Sequence, residues 1–302
     1  MKLYDFTVEN RIEPIGFDRL PRFSWKLKSH DKGVWQKTYD IVVKEQESGY
    51  VCWNSGICRS DRSLYIPYAG EGLMPFTGYD VTLQIWDNKG QTDEITTRFE
   101  TGLLEEKNWQ GKWIGSTWEK EKSCPVIYRD LQIEKKVKKA RVYMTALGVY
   151  DLLVDGEKIG HSYFAPGWTS YPHRLQYQTY DITDALEEGA HRLSVMVGPG
   201  WYAGYLNGEG QRYFYGKEVA VRGMIGLFYE DGTKEVLVTD ETWKLKDSVI
   251  VESEFYHGEI QDFRTVDAQS RKVEIFAEQD LRIGKIVAQE CQPVRIQKRL
   301  PV

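Results

Sequence analysis

Short runs of alternating apolar and polar side chains dominate the first hundred residues. Phe23–Leu27 and Tyr79–Trp86 both alternate with a period of two, the pattern of a half-buried β-strand. The turn-forming stretches Asn54–Gly56 and Asp87–Gly90 follow such runs. About seven short strands in roughly a hundred residues favour an immunoglobulin-like sandwich.

Residues 105–268 continue the strand pattern in a larger unit. Its strand-like runs are Ala140–Thr145, Tyr150–Val154, His191–Val197, Met224–Tyr229 and Glu235–Thr239. Asp155-Gly156 and Asp231-Gly232 are typical hairpin turns. One short helix is predicted at Asp184–Glu188, after a cap at Thr183 and before Gly189. The pattern predicts a second β-sandwich, of jelly-roll type.

The last residues, 269–302, are charged and then alternate like a strand from Val294 onward. We therefore predict an all-β chain of tandem β-sandwiches, with domains at 1–104 and 105–268. Residues 269–302 are expected to form a linker and the start of a further β-domain. The alternative is a strand that returns to the second sandwich.

Charge and hydropathy exclude several classes of partner. The 40 basic and 45 acidic residues give a net charge of −5, which disfavours nucleic acid because polyanion binders need a basic surface. No apolar run reaches the roughly 18–20 residues that span a bilayer. The N-terminal Met1–Phe6 turns polar at once and has no signal-peptide stretch. We expect a soluble cytoplasmic protein without a membrane partner.

Cysteine and histidine spacing gives no support for a metal or other cofactor. The cysteines at 52, 58, 124 and 291 form no CxxC pair, and the five histidines form no HExxH motif. Nothing in the sequence indicates an oxidising compartment, so we expect free thiols and no cofactor.

Aromatic residues are abundant, with 10 Trp and 19 Tyr, and they make up 13% of the chain. Strands favour aromatic side chains, so burial in the sheets is one explanation for each ring. An aromatic face can also stack on a pyranose ring, so the composition suits proteins that handle sugars.

Ordered motifs in both units carry a family resemblance. In the first unit they are Phe23-Ser24-Trp25, Gln36–Tyr39, Trp53–Gly56 and Phe99–Leu104. In the second they are Ala146–Tyr150, Ala165–Tyr171, Gln176–Thr183, Gly198–Gly204 and Tyr256–Glu259. Together they resemble the N-terminal region of bacterial α-L-rhamnosidases, which are glycoside hydrolases.

The resemblance implies a fibronectin type III-like sandwich followed by a jelly-roll domain that binds sugar in some members. Further β-structure and a catalytic barrel of helices come next in that family. The barrel's acid and base carboxylates would lie beyond residue 302. This chain then resembles an accessory region whose partner is the catalytic domain of the same polypeptide, with a rhamnosyl carbohydrate as a candidate ligand.

Loops around Trp168 and Trp201 are the candidate sites for sugar binding or docking. Each tryptophan follows a glycine, which lets the backbone turn tightly and present the ring. The candidate residues are Trp168, Tyr171, Trp201, Tyr202, Tyr205, Arg212, Tyr213, Tyr215 and Glu259. The alternative is that both tryptophans fill the sandwich core; exposed aromatic patches mark partner surfaces as readily as ligand sites.

Independent catalysis is the weaker hypothesis. Glycoside hydrolysis needs two carboxyl groups that flank the scissile bond. Glu254, Glu259 and Asp262 cluster in one segment and Glu209 lies in a glycine-rich loop, but no helical scaffold accompanies them. We therefore predict no catalytic residue in this chain. A self-standing carbohydrate-binding module is the alternative function.

Overall fold

The chain is all-β and divides into two compact units in the computed structural model. The structure describes residues 1–121, 123–206, 210–265 and 269–300. The units are Met1–Asn108 and Trp109–Val302. The strands of each unit pair into sheets. The predicted class, tandem β-sandwiches, is confirmed.

The first unit is a sandwich of two short antiparallel sheets. Its strands are β1 (Lys2–Val8), β2 (Arg22–Lys28), β3 (Gln36–Glu45), β4 (Val51–Asn54), β5 (Ile66–Pro67), β6 (Gly78–Asp87) and β7 (Thr92–Glu100). One sheet has the order β1-β2-β5 and the other β4-β3-β6-β7. The predicted strands over Phe23–Leu27 and Tyr79–Trp86 lie within β2 and β6.

The core of this unit follows from the alternation in β2 and β6. Phe23 and Trp25 of β2 are buried, as are Leu83 and Ile85 of β6. The indole of Trp25 keeps a hydrogen bond inside the core, since its Nε1–H donates to Oε1 of Gln36 over 2.8 Å. A buried donor needs such a partner, so the pair fixes the ring within the sandwich.

The second unit has two larger sheets and a separate hairpin. Its first strands are β8 (Trp113–Thr117), β9 (Val126–Ile133), β10 (Val137–Leu147), β11 (Val149–Val154), β12 (Glu157–Lys158), β13 (Arg174–Asp181), β14 (Gly189–Gly198) and β15 (Glu218–Tyr229). They are followed by β16 (Lys234–Val238), β17 (Lys244–Lys246), β18 (Ile250–Glu254), β19 (Gly258–Gln261), β20 (Arg271–Lys272), β21 (Glu274–Phe276) and β22 (Lys285–Ala288).

Most neighbouring strands in these two sheets are not consecutive in the chain. One sheet runs β21-β8-β15-β10-β13-β22, with β16 also paired to β15, and the other runs β12-β11-β14-β9-β17-β20. The predicted turns Asp155-Gly156 and Asp231-Gly232 connect β11 to β12 and β15 to β16. The hairpin β18–β19 stands apart from both sheets and carries part of the site described below.

The segment 271–288 adds strands to both sheets of the second unit. β20 pairs with β17, β21 pairs with β8, and β22 runs parallel to β13. The sequence predicts a linker and the start of a further β-domain over residues 269–302. In the structure residues 271–288 instead pair with strands of the second unit. The partners of β21 and β22 lie more than a hundred positions earlier in the chain, and local sequence patterns do not reveal such distant pairing.

Among the described residues, helical structure is confined to single turns. They are α1 (Gly200–Ala203) and the 3-10 turns Glu106–Asn108, Trp118–Lys120, Thr183–Ala185, Phe263–Thr265 and Glu278–Asp280. The helix predicted over Asp184–Glu188 is therefore one 3-10 turn, since the chain enters β14 at Gly189. No helix within the described ranges is long and apolar enough to cross a membrane.

His191, near the start of β14, lies between two hydrogen-bond acceptors. Its Nδ1–H donates to Asp155 Oδ2 over 2.6 Å, and its Nε2–H donates to the carbonyl of Glu187 over 2.9 Å. Only the imidazolium carries both protons. Burial lowers the pKa of His191, but these two hydrogen bonds and the charge of Asp155 outweigh it and leave the pKa raised.

We predict that His191 stabilises the fold most at mildly acidic pH. Because its pKa is raised in the folded chain, its contribution is complete below the unfolded value of about 6.5 and is lost as pH rises through the folded pKa. His191→Gln should therefore lower the free energy of unfolding in urea more at pH 5.5 than at pH 8.5. The exposed His30→Gln is the control, and an equal loss for His191→Gln at both pH values would contradict the prediction.

Candidate functional site

Four aromatic rings from three separate segments form one exposed cluster on the second unit. They are Phe164 and Trp168 in the loop before β13, Trp201 in α1, and Phe255 in the turn between β18 and β19. Trp201 stacks on Phe255 with ring centroids 4.2 Å apart, and Phe164 contacts both rings at 6.2 and 5.6 Å. We call these four residues the aromatic surface.

Trp168 forms the open end of the aromatic surface. Its ring is nearly parallel to that of Trp201, with an interplanar angle of 8° and centroids 6.0 Å apart. The side chain is nevertheless 55% exposed, so one face is covered and the other is open. Its Nε1–H donates to the hydroxyl of Tyr215 over 3.4 Å. The ring is thus held in place while it faces solvent.

A layer of tyrosines supports the loops from beneath. Tyr171 and Tyr202 are fully buried. Tyr171 packs edge-on against Tyr215 at 4.8 Å and against Tyr202 at 5.3 Å. Burial raises the pKa of both Tyr171 and Tyr202. The sequence proposed these two tyrosines as contact residues, but the structure places them under the surface, where they can support it without touching a ligand.

A buried ion pair joins the loop after α1 to the hairpin β18–β19. Arg212 Nη2 lies 2.6 Å from Oε1 of Glu254. The other carboxylate oxygen of Glu254 accepts a hydrogen bond from the backbone N–H of Tyr205 over 3.1 Å. The guanidinium also lies over the rings of Tyr205, Tyr213 and Trp118, at 4.6, 5.4 and 5.8 Å.

Close packing around Glu254 restricts its neighbours. Burial raises the pKa of Glu254, while the N–H of Tyr205 and the charge of Arg212 act in the opposite direction and only partly offset it. A Cβ at Gly204 would lie 2.6 Å from the Glu254 carboxylate and 2.3 Å from the carbonyl of Gly200. Glycine is therefore required there, because any larger residue would displace the carboxylate or the backbone of α1.

Two aromatic residues of the site adopt left-handed backbone conformations. Phe164 has φ of 59° and Tyr213 has φ of 62°. Bulky residues rarely occupy this region, and each such residue costs on the order of 1–3 kcal/mol that the surrounding contacts must supply.

The remaining candidates lie around the ion pair. Tyr205 is half-buried and its ring contacts His257 at 4.6 Å. Tyr213 is half-buried beneath Lys217, whose Nζ lies 5.4 Å from the ring. Glu259 is exposed on β19. The structure thus brings the nine predicted residues to one region. Among the tryptophans and tyrosines of these nine, Trp168 has the largest exposed fraction.

The carboxylates weighed for hydrolysis are occupied in other ways. Glu254 pairs with Arg212, and Asp262 pairs with Arg264 at 2.6 Å. Glu259 accepts a hydrogen bond from Gln261 Nε2 over 2.5 Å. Glu209 lies outside the described residues. Within the described ranges, no three His, Cys, Asp or Glu side chains form a group that could hold a metal ion.

Sequence reasoning missed Phe164 and Phe255, although both contact Trp201. Each lies directly before a motif that carried the family resemblance: Phe164 precedes Ala165–Tyr171, and Phe255 precedes Tyr256–Glu259. An aromatic residue immediately next to a glycine-containing loop motif was the available signal. Their mutual contact depends on tertiary packing of distant segments.

By its fold the chain is an all-β protein of two sandwich units, and the second unit carries the exposed aromatic surface. Residues 135–298 match the family described as alpha-L-rhamnosidase N-terminal domain, and residues 3–105 match the Rha78A-like N-terminal immunoglobulin domain. The chain therefore belongs to the α-L-rhamnosidase family, in its N-terminal region, as the motifs predicted.

The relatives that match this chain are longer proteins. It is 38% identical to an alpha-L-rhamnosidase of Streptomyces avermitilis, over 98% of this chain and 46% of the relative. It is 30% identical to one of Formosa agariphila, over 82% of this chain and 29% of the relative. The chain thus spans less than half the length of these two relatives.

Solved structures share the fold. An alpha-L-rhamnosidase of Streptomyces avermitilis complexed with L-rhamnose superposes with a TM-score of 0.89 at 22% identity, over 98% of this chain and 47% of that one. The alpha-L-rhamnosidase of Dictyoglumus thermophilum gives a TM-score of 0.85 at 28% identity, over 99% of this chain and 36% of that one.

We predict that Arg212→Met destabilises the chain by about 3 kcal/mol, because it leaves the Glu254 carboxylate buried without its cation. Lys217→Met is the matched control: it removes an exposed cation that pairs with Glu119 at 2.8 Å and should leave stability nearly unchanged. Urea unfolding followed by tryptophan emission measures both variants. Equal stabilities for the two variants would show that Glu254 does not depend on Arg212.

Proposed function

We propose that this chain is the accessory N-terminal region of an α-L-rhamnosidase, which positions the catalytic region and does not hydrolyse rhamnosides by itself. Membership of the N-terminal domain family and the greater length of the relatives support this function. A cytoplasmic location stays a prediction of the sequence.

The exposed aromatic surface is the observation that carries the docking role. Phe164, Trp168 and Phe255 are exposed yet locked against Trp201. Contiguous apolar patches on soluble proteins mark partner surfaces, and aromatic side chains are enriched at the energetic centres of interfaces. Because the rings are already ordered, a partner would lose little side-chain entropy on covering them.

The pairing of two candidate carboxylates supports the proposal that this chain does not catalyse hydrolysis by itself. A glycosidase needs one carboxyl group that donates a proton and one that acts as nucleophile or base. Glu254 and Asp262 are committed to ion pairs with arginines. We therefore assign the acid and base to another part of the enzyme.

Direct sugar contact is a second candidate function, and Trp168 favours it. A pyranose could stack on the open face of this ring, whose other face rests on Trp201. A self-standing carbohydrate-binding module would need this contact to provide its affinity. The docking role, in contrast, requires only that the rings be covered by protein.

A chimeric enzyme tests the docking role. The segment of the Streptomyces avermitilis alpha-L-rhamnosidase that this chain matches is replaced by this chain, and kcat/KM is measured on an aryl α-L-rhamnoside. We predict an active chimera, no turnover by this chain alone, and a roughly tenfold loss on Trp168→Ser with Phe255→Ser. Truncation of an aromatic residue at the energetic centre of an interface typically weakens binding by about 1–2 kcal/mol or more, and about 1.4 kcal/mol corresponds to a tenfold change.

Trp35→Ser provides the matched control, since Trp35 lies in the first unit and is 56% exposed. It should leave the activity of the chimera unchanged. Turnover by the isolated chain, or an active chimera indifferent to the Trp168 and Phe255 changes, would contradict the proposed function.

Tryptophan emission tests the sugar contact. If the open face of Trp168 stacks on rhamnose, titration with L-rhamnose gives a saturable change in emission. Trp168→Ala should abolish that change and Trp35→Ala should retain it, while circular dichroism confirms that both variants remain folded. A chain that does not respond to L-rhamnose lacks the second function.

A further inference from the structure

A cavity of about 170 Å³ opens beside Phe164 in the second unit. Its lining includes the apolar residues Cys124, Val149, Met196 and Phe164 and the acidic residues Asp151 and Glu259. Pockets for drug-sized ligands usually occupy roughly 300–1,000 Å³. This cavity is therefore suited to a single side chain or a similarly small group.

One rim of the cavity already holds a cation. Lys158 Nζ lies 2.6 Å from Oδ1 of Asp151 and 4.1 Å from the centre of the Tyr163 ring. Both Asp151 and Tyr163 line the cavity. A carboxylate and an aromatic face thus bind an ammonium group here, a combination that is favourable where water is partly excluded.

A second carboxylate residue and a second aromatic residue, Glu259 and Phe164, also line this cavity. Glu259 accepts a hydrogen bond from the neutral side chain of Gln261, and within the described ranges no Lys, Arg or His pairs with it. Burial, together with the negative charges of Glu259 and Glu254, raises the pKa of Cys124 to about 12. The charge of Glu259 therefore acts on Cys124, which lines the cavity.

We propose that this cavity receives an arginine side chain from the protein segment that covers the aromatic surface, with the guanidinium paired to Glu259 and stacked on Phe164. The inference rests on the proposed docking function and names the chemistry of its partner. Arginine is favoured over lysine because its planar guanidinium pairs with a carboxylate and stacks on a ring at once. Since Phe164 belongs to both the cavity and the aromatic surface, one partner can cover both.

Methionine methyl resonances give a direct readout of the cavity. The chain has five methionines, so labelling with [methyl-13C]methionine yields a small spectrum in which Met196→Leu identifies the cavity signal. We expect N-acetyl-L-argininamide to shift the Met196 resonance saturably. The uncharged N-acetyl-L-norleucinamide should not, because it cannot pair with Glu259.

Two variants of the hairpin test the carboxylate. Glu259→Gln should weaken binding of the arginine probe roughly fivefold, the upper range for a partly exposed ion pair. Glu252→Gln removes a carboxylate from the same hairpin that does not line the cavity, and it should retain binding. The resonances of the other methionines report whether each variant is folded.

Three results would overturn the assignment: no saturable Met196 shift, equal binding of the norleucine probe, or equal binding by Glu259→Gln. A matching shift with L-rhamnose would also overturn it and would assign the cavity to sugar. Because the probe is measured on this chain alone, these results are independent of the chimeric enzyme. Failure of this inference is thus distinguishable from failure of the docking function.

Discussion

The buried ion pair between Arg212 and Glu254 holds the candidate site together. It connects the residues after α1 to the hairpin β18–β19, and the second oxygen of Glu254 fixes the backbone at Tyr205. The side chain of Glu254 is 1% exposed and that of Arg212 is 24% exposed. The pair therefore ties the segment that follows Trp201 to the residue that precedes Phe255, and loss of Arg212 would leave the carboxylate of Glu254 buried without its cation.

The sandwich supplies the rigid base on which these loops are displayed. The backbone N–H of Tyr150 in β11 donates to the carbonyl of Ala165, next to Phe164. On the other side of Trp168, the N–H of Gly284 donates to the carbonyl of Tyr171 over 2.7 Å, just before β22 pairs with β13. The loop that carries Trp168 is therefore tied at both ends, and binding loops on such a scaffold need little reorganisation.

Local patterns in the sequence predict the strands and the loops but not how distant segments meet. The alternation in β2 and β6 identifies their buried faces because side chains alternate across a strand. Motifs around Trp168 and Trp201 locate the site in the chain. Burial of Tyr171 and Tyr202 and the return of residues 271–288 to the second sandwich depend on long-range pairing. The same is true of the contact between Phe164 and Phe255, which no single segment encodes.

Hydroxyl-radical footprinting tests most directly whether the aromatic surface is covered by the rest of an α-L-rhamnosidase. Oxidation of Trp168 is compared between the isolated chain and the same chain joined to the catalytic region of the Streptomyces avermitilis relative, with Trp35 as the internal reference. Our account predicts that Trp168 becomes protected in the joined protein while Trp35 reacts at the same rate. Equal oxidation of Trp168 in both proteins would contradict a docking role for this surface.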